Sequence, residues 1–382
     1  MSGKKRHAEI AGGGITGLTL ACALAQRGWS VRVHERAKEL REIGAGIFLK
    51  ENSIAVLKGI GTFDSFRDRM VRLREGKVFD ESRRVLLHRV TDAEQSYATL
   101  RGELHRMLAD AAVAAGAEIA VNSQAIGARA DGTLLLADGR ELKADLVAAA
   151  DGYRSQVRDS LGLARGVWTL PEGATRLLVK RNNSDPTDMQ QEHWSGRYRV
   201  GFTACSPSEI YIFMMAPYAD RQASMVPVDK AFWTKRFPHL SHLIDRIEPD
   251  SGNNAPLALV DVKSWSAGNV AILGDAAHAQ PPNLGQGAGT AMANAYALAK
   301  ELDAHADGTA ALAAWEHKRR PPSEAVKRWS YRYGLVTGNW PDAALPLRSA
   351  LIWAVGHAKP TRTRWGWLWR GGIERGAEVQ PG

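Results

Sequence analysis

Apolar and polar positions recur with two different periods along this chain, and the change of period predicts its architecture. Residues 7–11 form a short apolar run, and apolar residues then recur at helical spacing over residues 15–27. A second apolar run follows over residues 30–34 and ends at Glu35. The pattern predicts a β–α–β unit with parallel strands at the N-terminus.

Helices and strands continue to alternate as far as about residue 164. The elements that the pattern predicts are, in order, a loop marked by Gly44 and Gly46, a helix beginning at residues 53–57, short strands between residues 71 and 95, a helix with the apolar stripe Leu100, Leu104, Leu108 and Ala111, a strand at residues 119–121, a hairpin turned at Asp138 and Gly139, and a buried strand over residues 146–150.

The pattern changes over residues 165–262, where TRLLVKR, RYRVGFTACS and EIYIFMMAP favour a mostly antiparallel sheet, followed by a short helix at residues 230–237. From residue 268 a strand, a glycine-rich loop, a helix over 289–302 and a helical stretch over 310–333 follow, with a break expected at Pro321 and Pro322. We therefore predict a discontinuous α/β domain (1–70, 96–164 and 265–335), an inserted sheet domain (71–95 and 165–264) and a C-terminal helical segment (336–382).

Composition adds few constraints. With 382 residues, 45% hydrophobic and 24% charged, the chain is an ordinary globular protein. Its two cysteines, Cys22 and Cys205, have no metal-ligand spacing, so we expect neither a metal site nor a disulfide. The N-terminus leads straight into a strand, and the apolar runs are too short to cross a bilayer. We expect a cytoplasmic protein.

The formal charge of +9 leaves nucleic acid open as a partner, but the basic residues are scattered and no nucleic-acid motif accompanies them. Attraction of an anionic cofactor and a carboxylate substrate explains the charge more simply. Six of the twelve tryptophans lie from Trp329 onward, mixed with arginines. A membrane-surface helix is one interpretation, but the spacing WGWLW favours a segment that wraps the core or a dimer interface. We expect a monomer or homodimer without membrane or nucleic-acid partners.

The candidate chemistry starts at the first turn, where Gly12, Gly14 and Gly17 have the order G-x-G-x-x-G between strand and helix. These glycines permit a tight turn, close approach of a pyrophosphate and close helix packing. Glu35 comes about twenty residues later, where an acid that binds ribose is expected. The pattern indicates a dinucleotide site; the alternative is an ordinary packing turn with an exposed Glu35.

Two later stretches end strands with an acid beside a glycine: ADG, with Asp151 and Gly152, and GDAAH, with Gly274 and Asp275. The first is compatible with a simple turn. In the second, the Asp275 carboxylate could accept hydrogen bonds from a polyol. The loop that begins at Pro281 then delivers a helix N-terminus, which suits a developing negative charge.

The motifs GGGITG, ADG and GDAAH, in this order, resemble those of the single-component FAD-dependent aromatic hydroxylases, the group A flavoprotein monooxygenases, and in particular their pyridinecarboxylate oxygenases. The resemblance covers nearly the whole chain. It implies a Rossmann-like FAD-binding domain with an inserted, mostly antiparallel substrate sheet, as in p-hydroxybenzoate hydroxylase.

The activity implied is hydroxylation of a hydroxylated aromatic or N-heteroaromatic carboxylic acid through a flavin C4a-hydroperoxide, using FAD, NADH or NADPH, and O2, with or without ring opening. Salicylate, hydroxybenzoate and hydroxynicotinate hydroxylases are alternatives within the family. A flavoprotein reductase or oxidase that inserts no oxygen is a further alternative.

The resemblance also implies roles for individual residues. Arg199 would pair with a substrate carboxylate and Tyr211 would hydrogen-bond the ring; the alternatives are a surface arginine and a core tyrosine. Pro281 and Pro282 would form the wall beside flavin and substrate, with no dedicated acid, base or metal. The cofactor-binding residues implied are Gly12, Gly14, Gly17, Glu35, Arg36, Arg41, Arg101, Asp151, Gly152, Gly274, Asp275, Gly285, Gln286, Gly287 and Ala288.

Overall fold

The computed structural model describes residues 5–41, 44–91, 95–338 and 340–357. The strands are β1 (His7–Ala11), β2 (Ser30–His34), β3 (Gly46–Lys50), β4 (Val71–Arg72), β5 (Glu75–Phe79), β6 (Val85–Val90), β7 (Ser96–Leu100), β8 (Glu118–Ala120), β9 (Ala125–Arg129), β10 (Thr133–Leu136), β11 (Glu141–Lys143), β12 (Leu146–Ala149), β13 (Ala164–Lys180), β14 (Met189–Ser195), β15 (Tyr198–Ala204), β16 (Glu209–Pro217), β17 (Asn253–Val262), β18 (Ser266–Ala267) and β19 (Val270–Ile272). The helices are α1 (Ile15–Ala25), α2 (Glu51–Gly59), α3 (Phe63–Phe66), α4 (Arg101–Ala114), α5 (Gln156–Ser160), α6 (Arg221–Ser224), α7 (Lys230–Arg236), α8 (Ser241–Ile244), α9 (Asp275–His278), α10 (Gly287–Ala304), α11 (Gly308–Gly338) and α12 (Leu345–His357).

A six-stranded sheet with the order β18–β19–β12–β1–β2–β8 forms the centre of the first layer. The strands from β19 to β8 pair in parallel, and the edge strand β18 pairs antiparallel to β19. Because β1, β12 and β19 are neighbours and parallel, the turns that follow them meet at one edge of the sheet. The three glycine-containing motifs are therefore brought together, and the predicted mixed α/β fold is confirmed.

Helix α1 packs against this sheet and against α4 and α10. It is apolar on nearly all sides, which is typical of a helix enclosed by protein. Leu18, Leu20 and Leu24 have no solvent exposure. The N-terminus of α1, directly after the glycine turn, is thus held in place by the largest apolar core of the molecule.

The second sheet has the order β17–β13–β16–β15–β14–β5–β6 and is antiparallel except for the β14–β5 pair. Side chains on its strands alternate between two faces. One face packs on Trp233 of α7 and on Phe237, which follows that helix, and the other faces a cavity. On β16 the packed side chains are Ile210, Ile212 and Met214, and the cavity side chains are Tyr211, Phe213 and Met215.

Two local predictions are wrong. The loop expected at Gly44 and Gly46 is shorter than predicted, because Gly46 already opens β3, which pairs with β7. The break expected at Pro321 and Pro322 does not occur, and α11 continues through both prolines. Proline removes a backbone N–H and crowds the carbonyl one turn earlier. That turn contains the exposed residue His317, so the freed carbonyl groups can meet water there.

Helix α12 lies against β6 and presents several apolar side chains outward, Leu347 and Trp353 among them. Trp365, Trp367 and Trp369 of the predicted C-terminal segment lie outside the described residues, as do Arg362, Arg364 and Arg370 on either side of them. In the part of the chain that is described, no helix combines the length and the apolar character needed to span a membrane.

Candidate active site

A cavity of about 1420 Å³ runs between the two large sheets. It begins beside Gly12, Glu35 and Arg36, and ends between Tyr333 on α11 and Ile352 on α12. Pockets for small molecules usually measure about 300–1,000 Å³. The cavity is therefore large enough to hold an extended cofactor together with a second ligand.

Each of the three motif glycines in the first turn is required for a different spatial reason. Gly12 has φ +103°, and a Cβ there would collide with the carbonyl of Ala150. A Cβ at Gly17 would collide with the carbonyl of Gly12, so Gly17 permits α1 to pack on the turn. Around Gly14, by contrast, a Cβ would meet nothing within 4 Å, and this residue borders the cavity. Gly14 leaves the backbone open to a ligand at the helix N-terminus.

Glu35 is held at the cavity wall by the same turn. Its Oε2 accepts a hydrogen bond from the Gly13 N–H at 3.0 Å, and its Oε1 accepts one from the Ala37 N–H at 2.9 Å. On the other side of the turn, the buried His105 imidazole hydrogen-bonds the Gly13 carbonyl through Nε2 at 2.7 Å. The turn is thus fixed from both sides before any ligand binds.

Asp151 and Asp275 follow the paired strands β12 and β19, and both border the cavity. The buried Arg158 joins the two segments: its Nη1 donates to the carbonyls of Tyr153 at 2.9 Å and Ala276 at 3.2 Å. Asp151 Oδ2 accepts from the Gln156 N–H at 3.1 Å, whereas its buried Oδ1 has no partner among the described residues. Burial raises the pKa of this carboxyl. An unsatisfied buried oxygen on the cavity wall indicates a missing ligand.

The loop before α10 forms the next section of the wall. Pro282, Gly285, Gly287 and Ala288 border the cavity, and Gly285 has φ +61°. Because α10 begins at Gly287, its free N–H groups and positive dipole end lie at this wall. An anionic ring system placed there would be stabilised.

Tyr211 reaches this cavity from β16. Its side chain is nearly buried, and its ring lies 6.0 Å from that of Phe48 between centroids. A Cβ at Gly46 would overlap the Tyr211 ring, so this glycine lets β3 and β16 approach. Burial raises the pKa of the Tyr211 phenol, although Arg176 and Arg101 oppose this, so the phenol is protonated at neutral pH.

Arg199 also borders the cavity, but it is already engaged. Its Nη2 donates to Asn283 Oδ1 at 2.8 Å and lies 3.4 Å from Glu172 Oε2, and its Nη1 lies 3.5 Å from Glu192 Oε1. The arginine is 1% exposed. Burial raises the pKa of Glu172, and Arg199 opposes that rise. The guanidinium joins the sheet to the loop before α10.

Other predicted site residues are arranged differently. Arg101 borders the cavity, whereas Arg41 lies on the surface with its side chain 71% exposed, 3.4 Å from Glu39. The Gln286 side chain is buried and accepts from Asn52 at 3.3 Å instead of facing the cavity. Three other predicted residues do not border the cavity but support the residues that do: Gly17, Gly274 and Pro281.

Sequence reasoning missed several residues of the site, among them His105, Glu172, Asn283 and Lys50. Among them only Lys50 has a sequence signal, since it is the one polar side chain of the otherwise apolar strand GIFLK. His278, which could suggest an acid or base, hydrogen-bonds Asn294 at 3.0 Å. Burial lowers its pKa to about 3, so it is a neutral core residue at physiological pH.

These features fit FAD: an open glycine turn, the carboxylate of Glu35 fixed beside it, an unsatisfied Asp151 oxygen and a helix N-terminus all border one cavity. Comparison with known proteins agrees. The family described as "FAD binding domain" matches residues 6–330. The 2-heptyl-3-hydroxy-4(1H)-quinolone synthase of Mycobacteroides abscessus is 37% identical over 375 residues, covering 94% of this chain and 96% of that protein.

Two solved structures extend the comparison. The tetrameric form of 2-methyl-3-hydroxypyridine-5-carboxylic acid oxygenase has a TM-score of 0.83 at 35% identity, covering 91% of this chain and 96% of that one. HpxO of Klebsiella pneumoniae, solved with FAD and uric acid, has a TM-score of 0.84 at 24% identity, covering 97% of both chains. The second comparison supports the fold alone.

Proposed function

Because the chain belongs to the FAD-binding-domain family and is an FAD-dependent monooxygenase of the aromatic-hydroxylase type, we propose that it transfers one oxygen atom from O2 to an N-heteroaromatic ring that carries an apolar substituent. NADH or NADPH serves as the reductant in this proposal. The observation that carries it is the form of the cavity, which passes from the predicted cofactor wall to an apolar end.

FAD would lie along the cavity, with its pyrophosphate at Gly14, its adenosine ribose at Glu35 and its ribityl chain beside Asp151 and Asp275. When bound, FAD supplies the redox chemistry that activates O2 for transfer to an aromatic ring. The backbone N–H groups at Gly287 would stabilise negative charge on the ring system.

The chain's own contribution to the reaction is to position the substrate. Between Pro282 and the side chains of Tyr211 and Phe213, the cavity offers a flat, mostly apolar space for an aromatic ring. The protonated Tyr211 hydroxyl can donate a hydrogen bond to a ring oxygen or nitrogen. These walls exclude water and fix the orientation of the ring relative to the cofactor.

Beyond this space, the cavity opens toward solvent between β6, α11 and α12. Apolar side chains line much of this end: Leu87, Val90, Val336, Leu351, Ile352 and Val355. Four of them are 44–58% exposed, and Arg89 and Arg332 border the same end. Such a surface suits a hydrocarbon chain, since burial of each CH₂ group contributes about 0.8 kcal/mol. The Mycobacteroides relative is named for a 2-heptyl quinolone product. The cavity supports a similar substrate here.

The predicted pairing of Arg199 with a substrate carboxylate has less support. Glu172 and Glu192 already flank the guanidinium, so a third carboxylate would be repelled by both. We therefore place a 2-alkyl-4-quinolone-like ring ahead of a pyridinecarboxylate as the substrate class.

Turnover with defined substrates tests the proposal. The purified holoenzyme is given NADH or NADPH and either 2-heptyl-4-quinolone, 2-methyl-4-quinolone or 2-methyl-3-hydroxypyridine-5-carboxylate, and products are analysed by mass. We expect the heptyl compound to gain one oxygen atom and to have the highest kcat/KM. Oxidation of the reductant with no oxygenated product from any of the three compounds would refute the proposal.

A matched pair of variants tests the apolar end. Leu351→Glu places a charge at this end of the cavity and should lower kcat/KM for the heptyl compound at least tenfold while leaving the methyl compound within about twofold, since two lost CH₂ contacts are worth about 1.6 kcal/mol. Ala350→Glu, at an exposed position of the same helix that does not border the cavity, is the control.

A further inference from the structure

Lys50 is a buried lysine within the cavity that the proposed function leaves without a role. It ends β3, where side chains alternate so that Gly46, Phe48 and Lys50 share the cavity side. The residue is only 3% exposed. A lysine ammonium is among the groups least often buried unless it is paired.

The surroundings of the Lys50 ammonium provide no counter-charge among the described residues. Its Nζ donates to Ser96 Oγ at 3.2 Å and lies 5.3 Å from the centre of the Phe48 ring. No carboxylate lies within ion-pair distance of it in the described part of the chain. An uncompensated buried charge is costly, so the arrangement is favourable only when something else supplies the negative charge.

Neighbouring groups make this part of the cavity electropositive. Arg89 on β6 also borders the cavity, and Lys50 is the N-cap residue of α2, where the helix dipole is positive. Burial lowers the pKa of the Lys50 ammonium well below its usual range, and Arg89 lowers it further. Both effects disfavour the charged ammonium, and an anion bound beside it would favour that form. Glu51, which acts on Arg89, partly offsets this field.

Lys50 lies close to the space between Pro282, Tyr211 and Phe213 that we propose for the substrate ring. Phe48 stands between Lys50 and Tyr211, since its ring is 5.3 Å from the ammonium and 6.0 Å from the tyrosine ring. The same Phe48 lies within about 3.5 Å of where a Cβ on Gly285 would be. Lys50 is thus one side chain away from both the cofactor wall and the substrate wall.

We propose that Lys50 binds an anionic oxygen of the substrate, either an ionised ring hydroxyl, such as the 4-oxygen of a quinolone in its hydroxyquinoline form, or a carboxylate, and that it selects substrates by this group. The inference rests on the proposed function in that the cavity is the substrate cavity. The anion supplies the counter-charge of the ammonium, and Ser96 and Phe48 orient the ammonium. Arg199 is already paired with two glutamates, so it is not available to bind this anion.

Binding to the holoenzyme tests this without turnover, so its failure is distinguishable from failure of the proposed function. Perturbation of the flavin absorbance reports the affinity for two pairs of probes at pH 8: benzoate against benzamide, and 4-nitrophenolate against nitrobenzene. The first pair tests a carboxylate and the second an ionised hydroxyl. We expect at least tenfold tighter binding of the anion in one pair.

Variants assign the preference to Lys50. Lys50→Met should abolish it, Lys50→Arg should retain most of it, and Lys58→Met, an exposed lysine on α2, should leave it unchanged. If Lys50→Met fails to fold, Lys50→Gln, which can still hydrogen-bond Ser96, replaces it. Equal affinity within both pairs in the wild type, or a preference that survives loss of the charge, overturns the proposal.

Discussion

Replacing Arg199 by methionine separates the two roles that this residue can have. In the structure it neutralises two carboxylates whose side chains are 22% and 9% exposed, Glu172 and Glu192. Removing one partner of a buried ion pair costs about 3–5 kcal/mol, because the remaining charge is left buried and unpaired. Since Glu172 is partly exposed, we expect a loss of about 3 kcal/mol of unfolding free energy for Arg199→Met.

This loss corresponds to a measurable shift in melting temperature. Unfolding entropy is about 2.1 cal/mol/K per residue, so a chain of 382 residues has about 0.8 kcal/mol/K and the melting temperature should fall by about 4 °C. Arg165→Met removes an exposed pair with Asp261, which should cost less than about 1 kcal/mol. Differential scanning calorimetry of the holoenzymes measures both.

The pH dependence provides the mechanistic signature. Burial already raises the pKa of Glu172, and without Arg199 its pKa should rise further. A carboxyl with a raised pKa binds more protons folded than unfolded, so it lowers stability as pH rises above its unfolded value of about 4.3. Arg199→Met should therefore be more destabilising at pH 8 than at pH 5.

A second substitution completes the test. Glu172→Gln in the Arg199→Met background should restore at least about 1 kcal/mol, within the usual range of coupling between contacting residues. The reasoning is refuted if Arg199→Met leaves the melting temperature unchanged while KM for a carboxylate substrate rises a hundredfold. That result would make Arg199 the substrate ligand that the family resemblance implies.

Two further predictions concern the glycine turn and the buried histidine. Gly14→Ala should keep the melting temperature of the apoprotein within about 1 °C but weaken FAD binding, measured by fluorescence titration, at least tenfold. Gly17→Ala, where a Cβ meets the Gly12 carbonyl, should lower both the melting temperature and the affinity for FAD. Equal effects of the two changes would contradict the assignment. His278→Gln should reduce the loss of stability between pH 6.5 and pH 3. The neutral His278 has a folded pKa of about 3, so it contributes stability that is lost as pH falls through this range. Parallel pH profiles of stability for the two proteins would show that other groups control this loss.

Much of the fold follows from local patterns in the chain. The turn after β1, the acid at the end of β2 and the strands before Asp151 and Asp275 are each encoded within a few residues, so period and glycine spacing are sufficient to find them. The alternation on β16 likewise predicts a sheet with one packed face. The proline pair in α11 misled because the tertiary contacts of a long helix outweigh a local penalty.

The arrangement of the site is less accessible from sequence. Arg199 meets Glu172, Glu192 and Asn283 only through the pairing of β13 to β16 and the placement of the loop before α10. Lys50 is buried because β3 pairs with β7, which sets Lys50 opposite Ser96, and no local pattern indicates this pairing. Ion pairs between distant segments depend on sheet register, and a shift of one residue would turn each side chain to the opposite face.

The pairing of β19 with β12 has a consequence for the order in which the protein is made. On the ribosome, β1, β2, β8 and β12 emerge first, but their neighbour β19 and the Ala276 carbonyl that Arg158 binds follow only after the entire seven-stranded sheet has been synthesised. The nascent chain therefore carries an open sheet edge at β12 throughout translation of residues 150–269. The wall of the cavity at α10 is among the last parts of the site to be synthesised, and a chain that terminates before α10 lacks it.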